Sequence, residues 1–317
     1  MLVTRFSSRA NLNTFEFTVI LVVGGTGLLG TEICRRLASA RKPFRAVVRS
    51  TSDREKKETL RRLGGKLVEG DLKERASLGR ACAGTAAVIT TPTAILSQQE
   101  GDTFDSVDLR GQMQLIDAAR AAKVRHFIFV SVSGNLLKHG DNPLLAAKQA
   151  VENHLRQSGL SYTILRPTHF MEIWLSPHLG FDFANAKATI YGSGENKISY
   201  ISLHNVADFA VAALSNPAAR NAVLELGGPE SLTQLEVIGI FEEIAGRAFG
   251  KQFVTEEALQ TRKGAAANPI ERTFADLTLA AARGDRIDMC DTFQKFSVRP
   301  RSVREHAKTI VHAAPWN

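Results

Sequence analysis

Cysteine is scarce in this chain, with three among 317 residues, and Cys34, Cys82 and Cys290 stand in no C-x-x-C or metal-ligand spacing. A disulfide framework is excluded, and a reducing, cytoplasmic setting without a bound metal is the expectation. Long apolar runs are missing as well. None approaches the ~20 residues that a membrane-spanning helix requires, so no membrane span is expected. Nor is there a long basic run or a basic patch interleaved with aromatics. The 40 basic and 32 acidic residues are interspersed, and the net charge of +8 suits a phosphate-bearing ligand without calling for nucleic acid. Acid is absent from the first 14 residues, which carry Arg5 and Arg9. Residues 1–16 are read as a disordered extension, with organelle targeting left open.

What is present is ordinary for a globular enzyme: 44% hydrophobic and 23% charged residues. Short β-branched apolar runs alternate with longer amphipathic stretches. The runs are Val19–Val23, Phe44–Val48, Lys66–Glu69, Ala87–Thr90, Phe127–Val130 and Tyr162–Leu165. Their unbroken apolar character fits strands buried on both faces of a parallel sheet. Helical patterns lie between them at Leu28–Ala40, Asp53–Leu63, Arg75–Cys82, Phe104–Ala122 and Leu144–Ser158. This alternation predicts an α/β fold, a Rossmann-type doubly wound parallel sheet over residues 17–170. A smaller C-terminal substrate-binding region is expected over 171–317, with the chain returning to the sheet around 200–226. There the pattern gives short strands in Ile190–Ile201, a helix at Val206–Leu214 and a strand at Ala222–Leu226. A helix at Leu232–Ala245 follows, opened by the capping-box pair Thr233 and Glu236. The last 60 residues carry no clear pattern.

The strongest local signal is Val19-Ile20-Leu21-Val22-Val23-Gly24-Gly25-Thr26-Gly27-Leu28-Leu29-Gly30. Strand, glycine turn and helix start follow in the order of a dinucleotide-binding loop. The first glycines permit the turn, the middle one admits a pyrophosphate to the backbone, and the last lets helix pack on strand. The helix N-terminus then offers free N–H groups to the phosphates. At the end of the second strand, where an acid would grip a free ribose 2′-hydroxyl, stands Arg49. An arginine there pairs with a 2′-phosphate, so NADPH is the expected cofactor. Asp71, beside Leu72 at the end of the third strand, either accepts from the adenine amino group or caps the next helix. Thr90, Thr91 and Pro92 end the fourth strand, at the sheet edge where ligands bind.

The fifth strand ends in Ser131-Val132-Ser133-Gly134, and a helix beyond carries Lys148 and Glu152. Together with the Gly24–Gly30 loop, Arg49 and Gly70-Asp71, these residues resemble the atypical, NmrA-like branch of the short-chain dehydrogenase/reductase superfamily. The stretches Ser158–Pro167, Val206-Ala207-Asp208 and Leu226–Glu230 are similar too, and the resemblance spans about residues 17 to 250. It implies that Lys148 holds the nicotinamide ribose; in isoflavone reductase-like relatives the matching lysine is proposed to act in catalysis. A solvent-facing lysine paired with Glu152 at i,i+4 is the plain alternative. The chain departs from the superfamily at Leu144, where typical members carry the proton-donating tyrosine. By the resemblance Ser131 or Ser133 takes the place of the superfamily's helper serine, without a tyrosine to assist, and Ser131 is a candidate for catalysis and for cofactor contact.

Pro167 and Phe170 complete the expected nicotinamide end. Ser133, His169, Phe170, Met171 and Trp174 form the expected substrate pocket, with His169 a candidate proton donor. His126 and His204 read as structural. The expected activity is NADPH-dependent hydride transfer to an apolar carbonyl, quinone or conjugated small molecule, by a monomer or homodimer. The alternatives are an NAD(P)-sensing regulator without turnover and an assembly or scaffold factor with a vestigial cofactor site.

Overall fold

A computed structural model describes residues 19–95, 97, 99–138 and 142–313; the expected extension at 1–16 lies outside them. The chain forms β1 (Ile20–Val23), α1 (Leu28–Ser39), β2 (Phe44–Val48), α2 (Arg54–Arg62), β3 (Lys66–Glu69), α3 (Arg75–Cys82) and β4 (Ala87–Thr90). A π-helix, Phe104–Gly111, then runs into α4 (Gln112–Ala121), before β5 (His126–Val130), α5 (Gly134–Leu137), α6 (Pro143–Gln157) and β6 (Tyr162–Pro167). The C-terminal part holds α7 (Met171–Trp174), β7 (Phe181–Asp182), β8 (Lys187–Tyr191), α8 (Leu203–Ala212) and β9 (Ala222–Leu226). It continues through α9 (Gln234–Ala245), β10 (Gly250–Val254), α10 (Glu256–Ala265), α11 (Pro269–Arg283), α12 (Cys290–Phe296) and α13 (Val303–Ala313).

Seven strands make one parallel sheet in the order β3-β2-β1-β4-β5-β6-β9, which is the doubly wound Rossmann-type arrangement. The order reverses between β1 and β4, so a crevice opens there at the carboxyl ends of the strands. Alternate residues of each strand feed two cores. Ile20 and Val22 join Ile33 and Leu37 of α1 and Phe209 of α8 on one face. Leu21 and Val23 join Leu78 of α3, Leu115 of α4 and Val151 of α6 on the other. Burial on both faces explains why β1 and β5 read as unbroken apolar runs.

β9 adds the seventh strand with Thr163 opposite Ala222, and α12 brings Phe293 and Phe296 against Phe209 at 5.6 and 5.5 Å. A third core sits under the small sheet β10-β8-β7, where Phe181, Phe241 and Phe249 cluster. The capping box opening α9 is formed as its sequence suggests, with Thr233 and Glu236 exchanging hydrogen bonds.

Two local expectations are corrected. The helix expected at Phe104–Ala122 is wound as a π-helix for its first eight residues. In the stretch 190–201 regular strand ends at Tyr191, and the rest makes isolated bridges such as Phe170 to Ile201.

Candidate functional site

A cleft of about 840 Å³ runs along the carboxyl edge of the sheet, from Arg49 and Lys56 at one end to His169 and Trp174 at the other. Its middle is the glycine loop. Gly24 holds φ at +87°, and a Cβ there would meet Thr91 Oγ1 at 2.5 Å. A Cβ on Gly30 would lie 2.0 Å from the Gly24 carbonyl oxygen, so no side chain can separate α1 from the turn. Gly27 caps α1 without a side-chain hydrogen bond, and the first turn of the helix carries no acid. Leu28, also in the lining, is 65% exposed. Bare N–H groups at a helix start, a positive dipole end and backbone stripped of side chains fit the pyrophosphate of a dinucleotide. Thr26, Leu29, Thr91, Pro92 and Leu72 line the same stretch.

Arg49 reaches the rim, where Nη1 meets Asp102 Oδ2 at 2.6 Å. Lys73 Nζ takes Asp102 Oδ1 at 2.6 Å, and the Ser97 hydroxyl donates to the same carboxylate. Burial drives the Asp102 carboxyl up, but bonds from Lys73, Ser97 and Arg49 outweigh it and hold it below the usual range. Asp102 was not foreseen; the irregular stretch after β4 carries no periodic signal. Asp71 lines the cleft, its Oδ1 accepting from the Lys73 N–H at 2.8 Å. The alternative that it caps the next helix is overturned, because α3 starts later and its N-cap is Glu74.

At the other end Lys148 is 4% exposed. Its Nζ stands 3.3 Å from Asp108 Oδ1 and 3.5 Å from the Val130 carbonyl oxygen, over the ring of Phe129. The solvent-facing pair with Glu152 is therefore overturned. Asp108 projects from the π-helix, is fully buried, and is fixed through Oδ2 by the Ala94 N–H at 2.8 Å. Glu152 belongs to a separate buried network. It accepts from Ser131 Oγ at 2.6 Å, from Arg166 Nη2 at 2.6 Å and from Arg156 Nη2 at 2.8 Å, while Arg166 also holds Glu225. Burial works to raise the Glu152 carboxyl, and the bonds from Arg166 and Ser131 more than reverse it. Ser131 lines the cleft with its hydroxyl proton committed to Glu152.

Four expected residues do not line the cleft. Gly25 faces inward, its Cβ position 3.2 Å from Ala46. Thr90 is fully buried and donates to Gln112. Ser133 is buried as the N-cap of α5 and donates to Asp285 at 2.8 Å. Met171 packs wholly into the third core. Pro167, His169, Phe170 and Trp174 do line it, joined by Leu136, Leu144, Ile173 and Leu179. Phe274, Leu277 and Thr278 of α11 close the chamber from the C-terminal part. No sequence signal marked these three, since the amphipathic face they share reads like any helix–core contact.

Among the described residues no group of three or more His, Cys, Asp or Glu is placed to hold a metal ion, and no helix is long and apolar enough to cross a membrane. His126 is buried against Thr163, and His204 meets Glu32 at 2.9 Å.

The description of the NmrA-like family matches residues 17–297. The chain is 32% identical over 308 residues to the NAD(P)H azoreductase of Xenophilus azovorans, covering 94% of this chain and 99% of that one. It is 31% identical over 230 residues to the photosystem II assembly factor Ycf39 of Trieres chinensis, covering 72% and 70%. A solved Escherichia coli protein, the NADPH-dependent quinone oxidoreductase QOR2 complexed with NADPH, shares the fold. Its TM-score is 0.73 at 20% identity, over 92% of this chain and 99% of that one.

Proposed function

The chain belongs to the NmrA-like family, and from that premise we propose that it is an NADPH-dependent oxidoreductase acting on an apolar quinone, carbonyl or conjugated compound. The observation that carries this is the continuity of one cleft. An arginine-bearing rim and a bare helix N-terminus open without interruption into an apolar chamber that contains a buried lysine. The azoreductase relative supports the same reaction class. Reduced nicotinamide, when bound, supplies hydride.

The protein's own part is placement and exclusion of water. Arg49, with Lys73 beside it, provides the cation for a 2′-phosphate. The N–H groups following Gly27 provide for the pyrophosphate. Lys148, kept in place by Asp108 and the Val130 carbonyl, holds the ribose and orients the ring. Trp174, Phe170, Ile173, Phe274 and Leu277 present an uncharged, partly aromatic surface to the acceptor. Leu144 offers no proton, which suits acceptors that protonate from solvent or from another side chain.

The test is oxidation of NADPH followed against a panel of quinones, azo dyes and enones, with NADPH and NADH affinities measured by calorimetry. Turnover with NADPH bound more tightly than NADH is expected. Equal affinities would remove Arg49 from the assignment. Tight NADPH binding with no turnover on the whole panel would favour a sensor or an assembly role, the second suggested by the Ycf39 relative.

A further inference from the structure

His169 is an unusual group for the place it occupies. It lines the acceptor end of the cleft, is 2% exposed, and its ring lies 4.3 Å from that of Trp174. Neither ring nitrogen has a well-formed hydrogen bond among the described residues. Leaving such a group unsatisfied costs stability, which a packing role alone would not require. Nδ1 does have a charged neighbour, Asp285 Oδ2 at 3.4 Å.

Asp285 is held from every side. Ser133 Oγ donates to Oδ2 at 2.8 Å and Asn135 Nδ2 to Oδ1 at 3.0 Å. Its backbone N–H donates to Lys197 O at 3.0 Å, and its carbonyl accepts from the Ser199 N–H at 2.9 Å. Burial raises the Asp285 carboxyl, but His169, Ser133 and Asn135 together pull it below the usual range, so it stands as an anion. An anion beside Nδ1 keeps a proton there, so Nε2 on the other edge of the ring carries a proton only in the imidazolium, and that second proton is the transferable one. The other groups facing the ring are neutral. Tyr200, 6.3 Å away, has a phenol pushed up by complete burial, and Trp174 carries no charge. Within the same cleft the Lys148 cation is matched by Asp108.

We propose that His169, oriented by Asp285, is the catalytic residue that gives the acceptor its proton. Asp285 is then a positioning residue. The proposal rests on the reductase reading and supplies the donor that Leu144 does not. The acceptor gains two electrons and one hydrogen as hydride. The Nε2–H bond of the imidazolium breaks as an O–H, N–H or C–H bond forms on the acceptor, and the neutral imidazole recovers its proton from water. The structural alternative is that Asp285 only fastens the C-terminal part to the β5–α5 turn.

Trp174 provides a readout that needs no turnover. The chain holds two tryptophans, so Trp316→Phe leaves Trp174 alone, and a protonated imidazole against an indole quenches its emission. In the cofactor-free protein emission should fall with falling pH, and His169→Gln should abolish that titration. Asp285→Asn should move its midpoint to lower pH, because the imidazolium loses its anion.

With an enone, the rate should decline as pH rises through the same midpoint, and Asp285→Asn should shift the decline likewise. His169→Gln should cut kcat roughly 10²-fold with NADPH affinity unchanged, and added imidazole should restore part of the rate. Full activity in a folded His169→Gln protein overturns the proposal and leaves the reductase reading standing. An Asp285→Asn protein with unmoved midpoints removes Asp285 from the pair. If His169→Gln does not fold, the Asp285→Asn shift decides. Wild-type protein that reduces nothing on the panel overturns the reductase reading, and the donor role falls with it.

Discussion

The two cations at opposite ends of the cleft meet partners from the same stretch of chain, between β4 and α4, yet in different surroundings. Arg49 is about a third exposed where it meets Asp102, whose own carboxylate is nearly buried. The side chains of Lys148 and Asp108 are only 5% and 0% exposed. An ion pair whose cation reaches water is held less firmly than one buried on both sides and yields more readily to a better anion. A buried pair carries the desolvation cost of both charges, and removing one member leaves the other stranded. Under the proposed function the rim pair is the exchangeable one, its arginine passing from carboxylate to phosphate. The inner pair is part of the architecture, and the π-helix that aims Asp108 inward is part of it too. Such helices recur at functional sites.

Breaking the inner pair gives the largest expected effect. Asp108→Ala should cost about 3–5 kcal/mol of stability, as measured by urea denaturation. Lys148→Ala should raise the NADPH KM and lower kcat by roughly 10²-fold. Removing both charges, as Asp108→Leu with Lys148→Met, should destabilise less than the sum of the single losses. Additive losses would mean that the two groups do not sense each other.

At the rim the effects are smaller and confined to binding. Arg49→Glu should weaken NADPH by roughly 10–100-fold, the range of one charge-assisted pair and its reversal, while sparing NADH. Asp102→Asn removes the carboxylate that competes for Arg49 and Lys73, so it should tighten NADPH severalfold, most visibly at low salt. Isothermal titration at two ionic strengths reads both. An Asp102→Asn protein with weaker NADPH binding would show that Asp102 serves to aim Arg49 and does not compete for it.

What could be read from the sequence follows the same divide between local and distant causes. The β1–Gly30 stretch and the place of Arg49 can be read because strand, turn and helix start are set by neighbours in the chain, whereas Lys148 is singled out by the family resemblance alone. The partners of the two cations cannot be read in either way. Asp102 and Asp108 lie 53 and 40 positions from the cations they meet, and Asp285 lies 116 from His169; only the folded sheet edge brings them together. Glu152 misled for a related reason. Its i,i+4 spacing from Lys148 is real, but Arg166 on the adjacent β6 outcompetes the lysine by pairing through two nitrogens at once. The C-terminal part was least legible because its helices bury single faces against elements far away, as Phe293 does against Phe209.

The smallest effect at neutral pH belongs to His126, a residue of the sheet remote from either pair. Thr163 Oγ1 donates to the Ala219 carbonyl oxygen at 2.6 Å and can therefore only accept from His126 Nε2, 2.8 Å away. The imidazole is then the Nε2–H tautomer, and Nδ1 is buried without a partner among the described residues. Burial, with Arg220 adding to it, pushes the His126 pKa down from 6.5 to about 4. The folded state thus binds fewer protons than the unfolded chain. Its stability should be complete above about pH 6.5 and drain away as the pH falls towards about 4, by up to about 3 kcal/mol at 1.36 kcal/mol per pKa unit. His126→Gln keeps an N–H for Thr163 and cannot be protonated. At pH 7 it should sit within about 1 kcal/mol of the parent, and between pH 6.5 and 4 its stability should fall less steeply. Chemical denaturation across that range checks the sign; a parent and variant that lose stability in parallel would place the acid-sensitive group elsewhere, with the similarly buried His306 the next to test.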